Sequence, residues 1–100
     1  MRAVRYHPDA SAEFMREIEY YLALSPALSE RFDRAVLACE VRAAESPDRW
    51  PKYLYNTRRI LDRKFKFSLV YSTFEGEIVV LAVAAFRRRP GYWKSRLNDG

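Results

Sequence analysis

The chain has 100 residues, 49% of them apolar and 15% aromatic, with a formal net charge of +5. That length holds one domain with one two-layer core, expected over residues 1–100, and the apolar content excludes a disordered tail. One cysteine, Cys39, and one histidine, His7, exclude an internal disulfide, a thiolate cluster and a multi-histidine metal site, so neither a metal nor a cofactor is expected.

The charge is polarised along the chain. Residues 9–48 carry nine acidic and four basic side chains, and the remaining residues carry four and fourteen. A basic field of this kind suits nucleic acid, an acidic protein segment or another anionic surface. The chain starts without an apolar signal core, and no apolar run reaches membrane-spanning length. The expectation is a soluble protein of the cytoplasm.

In chain order, Ala3 to His7 reads as a short edge strand closed by His7-Pro8. Asp9 is placed to cap a helix with Glu13 in its first turn. Phe14, Ile18, Tyr21 and Leu22 form that helix's apolar stripe, which leaves Glu13 and Glu17 as surface residues. Ser25-Pro26 ends this helix and starts a second, with serine as N-cap and proline in the first turn. The second stripe is Leu28, Phe32, Ala35 or Val36, Cys39 and Ala43, and the tight connection makes the pair an antiparallel hairpin. Ser46-Pro47-Asp48 terminates it.

Trp50-Pro51 opens an irregular link, and a strand lies within Leu54 to Leu61. Phe65 to Tyr71 alternates with period 2, placing Phe65, Phe67, Leu69 and Tyr71 on one face and Lys66, Ser68 and Val70 on the other. Glu75-Gly76 is a turn. Glu77 to Phe86 is apolar on both faces, so it belongs inside a sheet with cover on each side. The fold class is therefore α+β: an N-terminal strand and an antiparallel helical hairpin packed on a small antiparallel sheet, in the order β-α-α-β-β-β.

Arg87-Arg88-Arg89-Pro90-Gly91-Tyr92-Trp93 follows the last strand. With Arg58, Arg59, Arg63, Lys64 and Lys66 these arginines form one candidate patch, because guanidinium forks bind phosphate and carboxylate alike. The competing account is solvation of outward strand positions and protection of sheet edges. Tyr92 and Trp93 either stack on a base or a partner's side chain, or fold back to close the core, which their apolar area favours for Trp93. Cys39 lacks an activating base and reads as an inert buried thiol. No nucleophile, base and orienting group stand out together. Phosphodiester cleavage would rest on arginines that hold phosphate and a tyrosine or lysine that moves a proton.

Tyr6-His7-Pro8 with Ala12, Glu13 and Tyr20-Tyr21, then Ser25-Pro26 with Leu28 and Phe32, resembles the opening of the RelE/ParE superfamily of bacterial toxins. Arg58-Arg59-Ile60-Leu61, Phe65 and Leu69-Val70-Tyr71 resemble its strand pair. Val80 to Ala84 followed by Arg87 to Trp93 resembles its ending. The resemblance implies the fold just described and a toxin of a type II toxin–antitoxin pair that inhibits growth and stabilises a plasmid. It also implies a cognate antitoxin encoded in the same operon.

RelE-like members cleave mRNA on the ribosome, whereas ParE-like members poison DNA gyrase. Two positions depart from the nuclease pattern: Ser68 stands where ribosome-dependent members carry a strand arginine, and Ala85 where many relatives carry histidine. The chain is thus more similar to the ParE-like branch, a protein-binding toxin with gyrase as its target. Recognition would use Arg58, Arg59, Arg63, Lys66, Arg87, Arg88, Arg89 and Tyr92. The alternative is a ribosome-dependent or free mRNA endoribonuclease using Arg58, Lys66, Arg88 and Tyr92. A third is an inactive, non-toxic binding module of the same fold.

Overall fold

The computed structural model describes residues 2–98. A short strand β1 (Val4–Tyr6) leads into helices α1 (Pro8–Leu24) and α2 (Pro26–Glu45). Strands β2 (Lys52–Tyr53), β3 (Thr57–Asp62), β4 (Phe67–Phe74) and β5 (Glu77–Ala85) follow, and a 3-10 turn spans Lys94–Asn98. The protein is α+β, with two helices on one five-stranded mixed sheet of order β1-β5-β4-β3-β2.

Two sequence expectations change here. The sheet is not wholly antiparallel, because β1 pairs with β5 in parallel, Val4 opposite Ile78. The helical hairpin and three strands lie between them in sequence, which supplies the long crossover that parallel pairing needs. The expected link after Trp50-Pro51 also contains an extra strand, β2, antiparallel to β3.

Ser25 both ends and starts a helix. In its extended conformation its N–H donates to the Tyr21 carbonyl, while its side chain accepts from Leu28 N at 3.3 Å. The expected cap of α1 moves back two residues: His7, not Asp9, is the N-cap, its Nδ1 accepting from Asp9 N at 3.0 Å. Pro8 can then occupy the first turn, where its missing N–H costs nothing. Phe14, Ile18 and Tyr21 pack on the core, but Leu22 is exposed. The fully buried residues of α1 are Ala10 and Glu13. Of the expected α2 stripe Phe32, Val36, Cys39 and Ala43 are buried, whereas Leu28 is only half-buried and Ser29 takes the inward place in the first turn.

Between helices and sheet, Tyr21, Phe32, Phe65 and Phe67 meet ring to ring at centroid distances of 4.9–5.6 Å. Such tilted and edge-on contacts contribute beyond simple area burial. The chain reverses from β4 to β5 through Glu75 (φ 51) and Gly76 (φ 79), whose paired left-handed conformations define a two-residue hairpin turn. The reversal from β3 to β4 begins strand β4 later than the alternation suggests. Phe65 donates its N–H to the Asp62 carboxylate at 2.8 Å, and Lys66 is left-handed (φ 56), so both belong to the turn.

A β-bulge decides what the second face of the sheet looks like. Tyr71 lies opposite Val80 and Val70 opposite Ala82, which leaves Leu81 without a counterpart. The extra residue breaks the period, so Leu81 and Ala82 both join the cluster on the side away from the helices. There Val70, Val79, Leu81, Ala82 and Ala84 are covered by Trp93, with Tyr53, Tyr92 and Leu97 at the margins. Strand β5 is thus interior and covered on both faces, as its apolarity requires. Among the described residues no helix is long and apolar enough to cross a membrane.

Candidate functional site

The chain after β5 folds back over the sheet instead of leaving it. Trp93 is 1% exposed and meets Tyr53 and Tyr55 at ring distances of 6.1 and 5.9 Å. It closes the core. Gly91 permits the approach: its φ is +79, and a Cβ there would lie 3.1 Å from the Tyr55 ring. Tyr55 and Asn56 are themselves left-handed (φ 58 and 62), a strained pair in the loop that forms the other side of this contact.

The returning segment is anchored by Glu13, which the helical pattern assigns to the surface and the structure buries. β1 pairs with β5 only as far as Val80, and the bulge turns Leu81 O and Val83 N toward the edge beyond it. Side chains finish that edge. Glu13 Oε1 accepts from Val83 N at 3.0 Å, and Arg96 Nη1 donates to Leu81 O at 2.9 Å. Arg96 also forks onto the same carboxylate at 3.1 and 3.3 Å, and Tyr92 donates its hydroxyl to Glu13 Oε2 at 2.5 Å. One buried carboxylate therefore ties α1, β5 and the C-terminal segment together. Buried charge of this kind is tolerated when it is paired and fully hydrogen-bonded. The stripe through Phe14, Ile18, Tyr21 and Leu22 passes beside position 13, and Glu13 turns inward because the helix packs with Ala10 and Glu13 innermost.

The three consecutive arginines diverge from this anchor. Arg87 turns to the helical side and lies 3.8 Å from Glu17. Arg88 stacks over the Tyr92 ring at 3.8 Å, its guanidinium 3.9 Å from Glu13. Arg89 joins Arg88 in a cavity of about 260 Å³ on the sheet face opposite the helices. Arg59, Arg63, Tyr53, Tyr92 and Trp93 complete its walls, with Ser68, Val70 and Ala84 among the lining residues. Arg59 is held over the Tyr53 ring at 4.0 Å.

Five of the expected site residues thus meet at one groove: Arg59, Arg63, Arg88, Arg89 and Tyr92. Three do not. Arg58 alternates with Arg59 to the helical side, where it donates to the Trp50 carbonyl. Lys66 and Arg87 line a separate cleft with Glu17, Tyr20, Tyr21 and Phe86. Adjacent residues on a strand point to opposite faces, which separates Arg58 from Arg59 on β3, whereas Lys66 and Arg87 lie in turns beyond the strand ends. Tyr53 and Arg96 belong to the site's construction although no sequence pattern singled them out.

The groove offers four guanidinium groups and four aromatic side chains, and none of its lining residues is acidic. Burial and the bond to Glu13 push the Tyr92 hydroxyl far above its ordinary range, so it stays protonated at neutral pH. That hydroxyl already donates its hydrogen bond to the Glu13 carboxylate. Ser68 and Ala85 both line this groove. Elsewhere, burial pushes the Cys39 thiol up to about 11, which removes it as a nucleophile. Among the described residues no group of three or more His, Cys, Asp or Glu side chains is placed to hold a metal. No family model matches this chain, and no curated protein matches it either.

Proposed function

We propose that this chain is the toxin of a type II toxin–antitoxin pair of the RelE/ParE kind, acting in the cytoplasm by binding a protein target, DNA gyrase. Its neutralising partner is a cognate antitoxin from the same operon. One observation carries the choice of binding over catalysis. The groove gathers Arg59, Arg63, Arg88 and Arg89, yet the Tyr92 hydroxyl, the group expected to move a proton, is committed to Glu13. Fixed cations without an acid–base partner select an anionic surface and hold it; they do not by themselves cleave a phosphodiester. The test is gyrase supercoiling titrated with the purified chain. Supercoiling should fall as toxin is added, and full activity at saturating toxin removes gyrase as the target.

A second reading has its own support. Arginines interleaved with Tyr53, Tyr92 and Trp93 suit a single-stranded sugar-phosphate chain with stacked bases. An mRNA endoribonuclease would then use Arg88 on phosphate, without Arg58 and Lys66, which lie away from the groove. It predicts discrete cuts in mRNA on translating ribosomes, lost on Arg88→Ala. A non-toxic module of the same fold predicts normal growth during strong expression of folded protein.

A further inference from the structure

The returning strip divides the outer face of the sheet. Trp93 closes the part beside the arginine groove, where it packs with Tyr53 and Tyr55. Where β1, β5 and β4 run side by side the cover is lighter. Arg5 lies opposite Val79, and Val79 opposite Ser72, so these three side chains share one row on that face. Ser72 is short, and Leu97 of the Lys94–Asn98 turn is the apolar side chain that the strip brings to this end. A cavity of about 190 Å³ remains, with Phe74, Val79, Leu81 and Leu97 among its lining residues. It is smaller than a site for a drug-sized ligand, yet larger than the roughly 150 Å³ apolar cavity that admits benzene.

Arg96 lines the same cavity, and its donors are only partly used. Nη1 donates to Glu13 Oε1 and to Leu81 O, and Nη2 to Glu13 Oε2. That engages three of the five N–H groups of a guanidinium. The other two, on Nε and Nη2, donate to no acceptor among the described residues. No side-chain nitrogen among those residues is both fully buried and unbonded, so the Arg96 Nε–H is open to a small molecule. The charges, by contrast, are already balanced: Arg96 is paired with Glu13, and Arg5, at the rim, with Glu77 at 3.4 Å. An anion here would meet the Glu13 carboxylate behind Arg96 and lose its own hydration. An uncharged carbonyl accepts from the same N–H groups without either cost.

We propose that this cavity binds a compact, uncharged apolar molecule that carries a carbonyl oxygen. The apolar body lies against Val79, Leu81 and Leu97, and the carbonyl accepts from Arg96. Arg96 also holds Glu13, and Glu13 holds Tyr92. Occupancy therefore fastens the strip that carries the groove's aromatic wall, and a ligand bound to the folded chain alone stabilises it. The inference rests on the cavity and on the unspent donors of Arg96, and it stands whether or not the chain inhibits gyrase.

The test uses the full chain with acetophenone as the probe, read by amide chemical shifts and by melting temperature. Acetophenone should shift the amides of residues 72–74, 79–81 and 96–97 saturably and raise the melting temperature as its concentration increases. α-Methylstyrene has the same shape with a methylene in place of the oxygen, and it should bind about tenfold more weakly. Benzoate, of similar size but charged, should also bind more weakly than acetophenone. Leu97→Trp fills the cavity and should abolish the shifts without lowering the melting temperature. Absence of saturable shifts, shifts centred on the arginine groove, or binding of α-methylstyrene or benzoate as tight as that of acetophenone overturns the proposal. The three probes are compared on the unmodified chain, so the comparison decides even if the variant misfolds.

Discussion

The sheet has two faces, and they are covered on different terms. Against the helices, Phe32, Val36, Cys39, Phe67, Leu69 and Tyr71 interlock in a continuous core, where many contacts share the burial. On the other face a single returning strip does the covering, with Trp93 as its one large buried side chain and Glu13 and Arg96 as its fastening. The first cover is redundant and the second is not. The arginine groove is built into the second, so the site depends on the less redundant half of the molecule.

The comparison breaks most sharply at Trp93. Trp93→Ala should cost about 4 kcal/mol in denaturant unfolding, near the upper range for a buried aromatic, because no neighbouring layer can collapse into the space. Binding of a target at the groove should be lost with it. Glu13→Ala should cost about 3 kcal/mol by the same measurement, since it leaves Arg96 and Val83 N without their partner. If Glu13 were a surface residue, the change would be nearly silent.

The helical side has its own, smaller signature at alkaline pH. Burial pushes the Tyr71 hydroxyl up to about 12, with Arg58 opposing and Asp48 adding to the rise. The folded state therefore holds the proton more tightly than an unfolded tyrosine does. Tyr71's contribution is complete below about pH 10 and is lost as pH rises toward about 12. Melting temperatures across that window should fall less steeply in Tyr71→Phe than in the parent chain. The smallest effect falls at Gly91. Gly91→Ala should cost about 1 kcal/mol, from a left-handed alanine and a Cβ close to the Tyr55 ring. It should weaken groove binding more than its stability cost suggests.

Much of the frame was legible in advance. Ser25-Pro26 marks the helix junction, Glu75-Gly76 marks the hairpin, and the apolarity of Ile78 to Ala84 requires cover on both faces, because each reports a conformation or burial set within its own segment. The site was legible only as a list. Arg59 and Arg88 reach the groove, whereas Arg58 and Arg87 turn to the helical side, and nothing in the run of arginines marks the difference. Leu22 and Glu13 exchanged their expected roles because the first helix packs with Ala10 and Glu13 innermost, a rotation that depends on what it meets.

From its own residues the chain therefore determines an α+β order of elements, two helical stripes, an interior strand and a charge polarised toward the second half. Those are properties of local spacing and composition. Tertiary structure alone decides that Glu13 meets Arg96 across 83 positions, that a bulge at Leu81 turns two consecutive side chains to one face, and that β1 joins in parallel. Each depends on where distant segments come to rest, and a short-range periodicity carries no record of that distance.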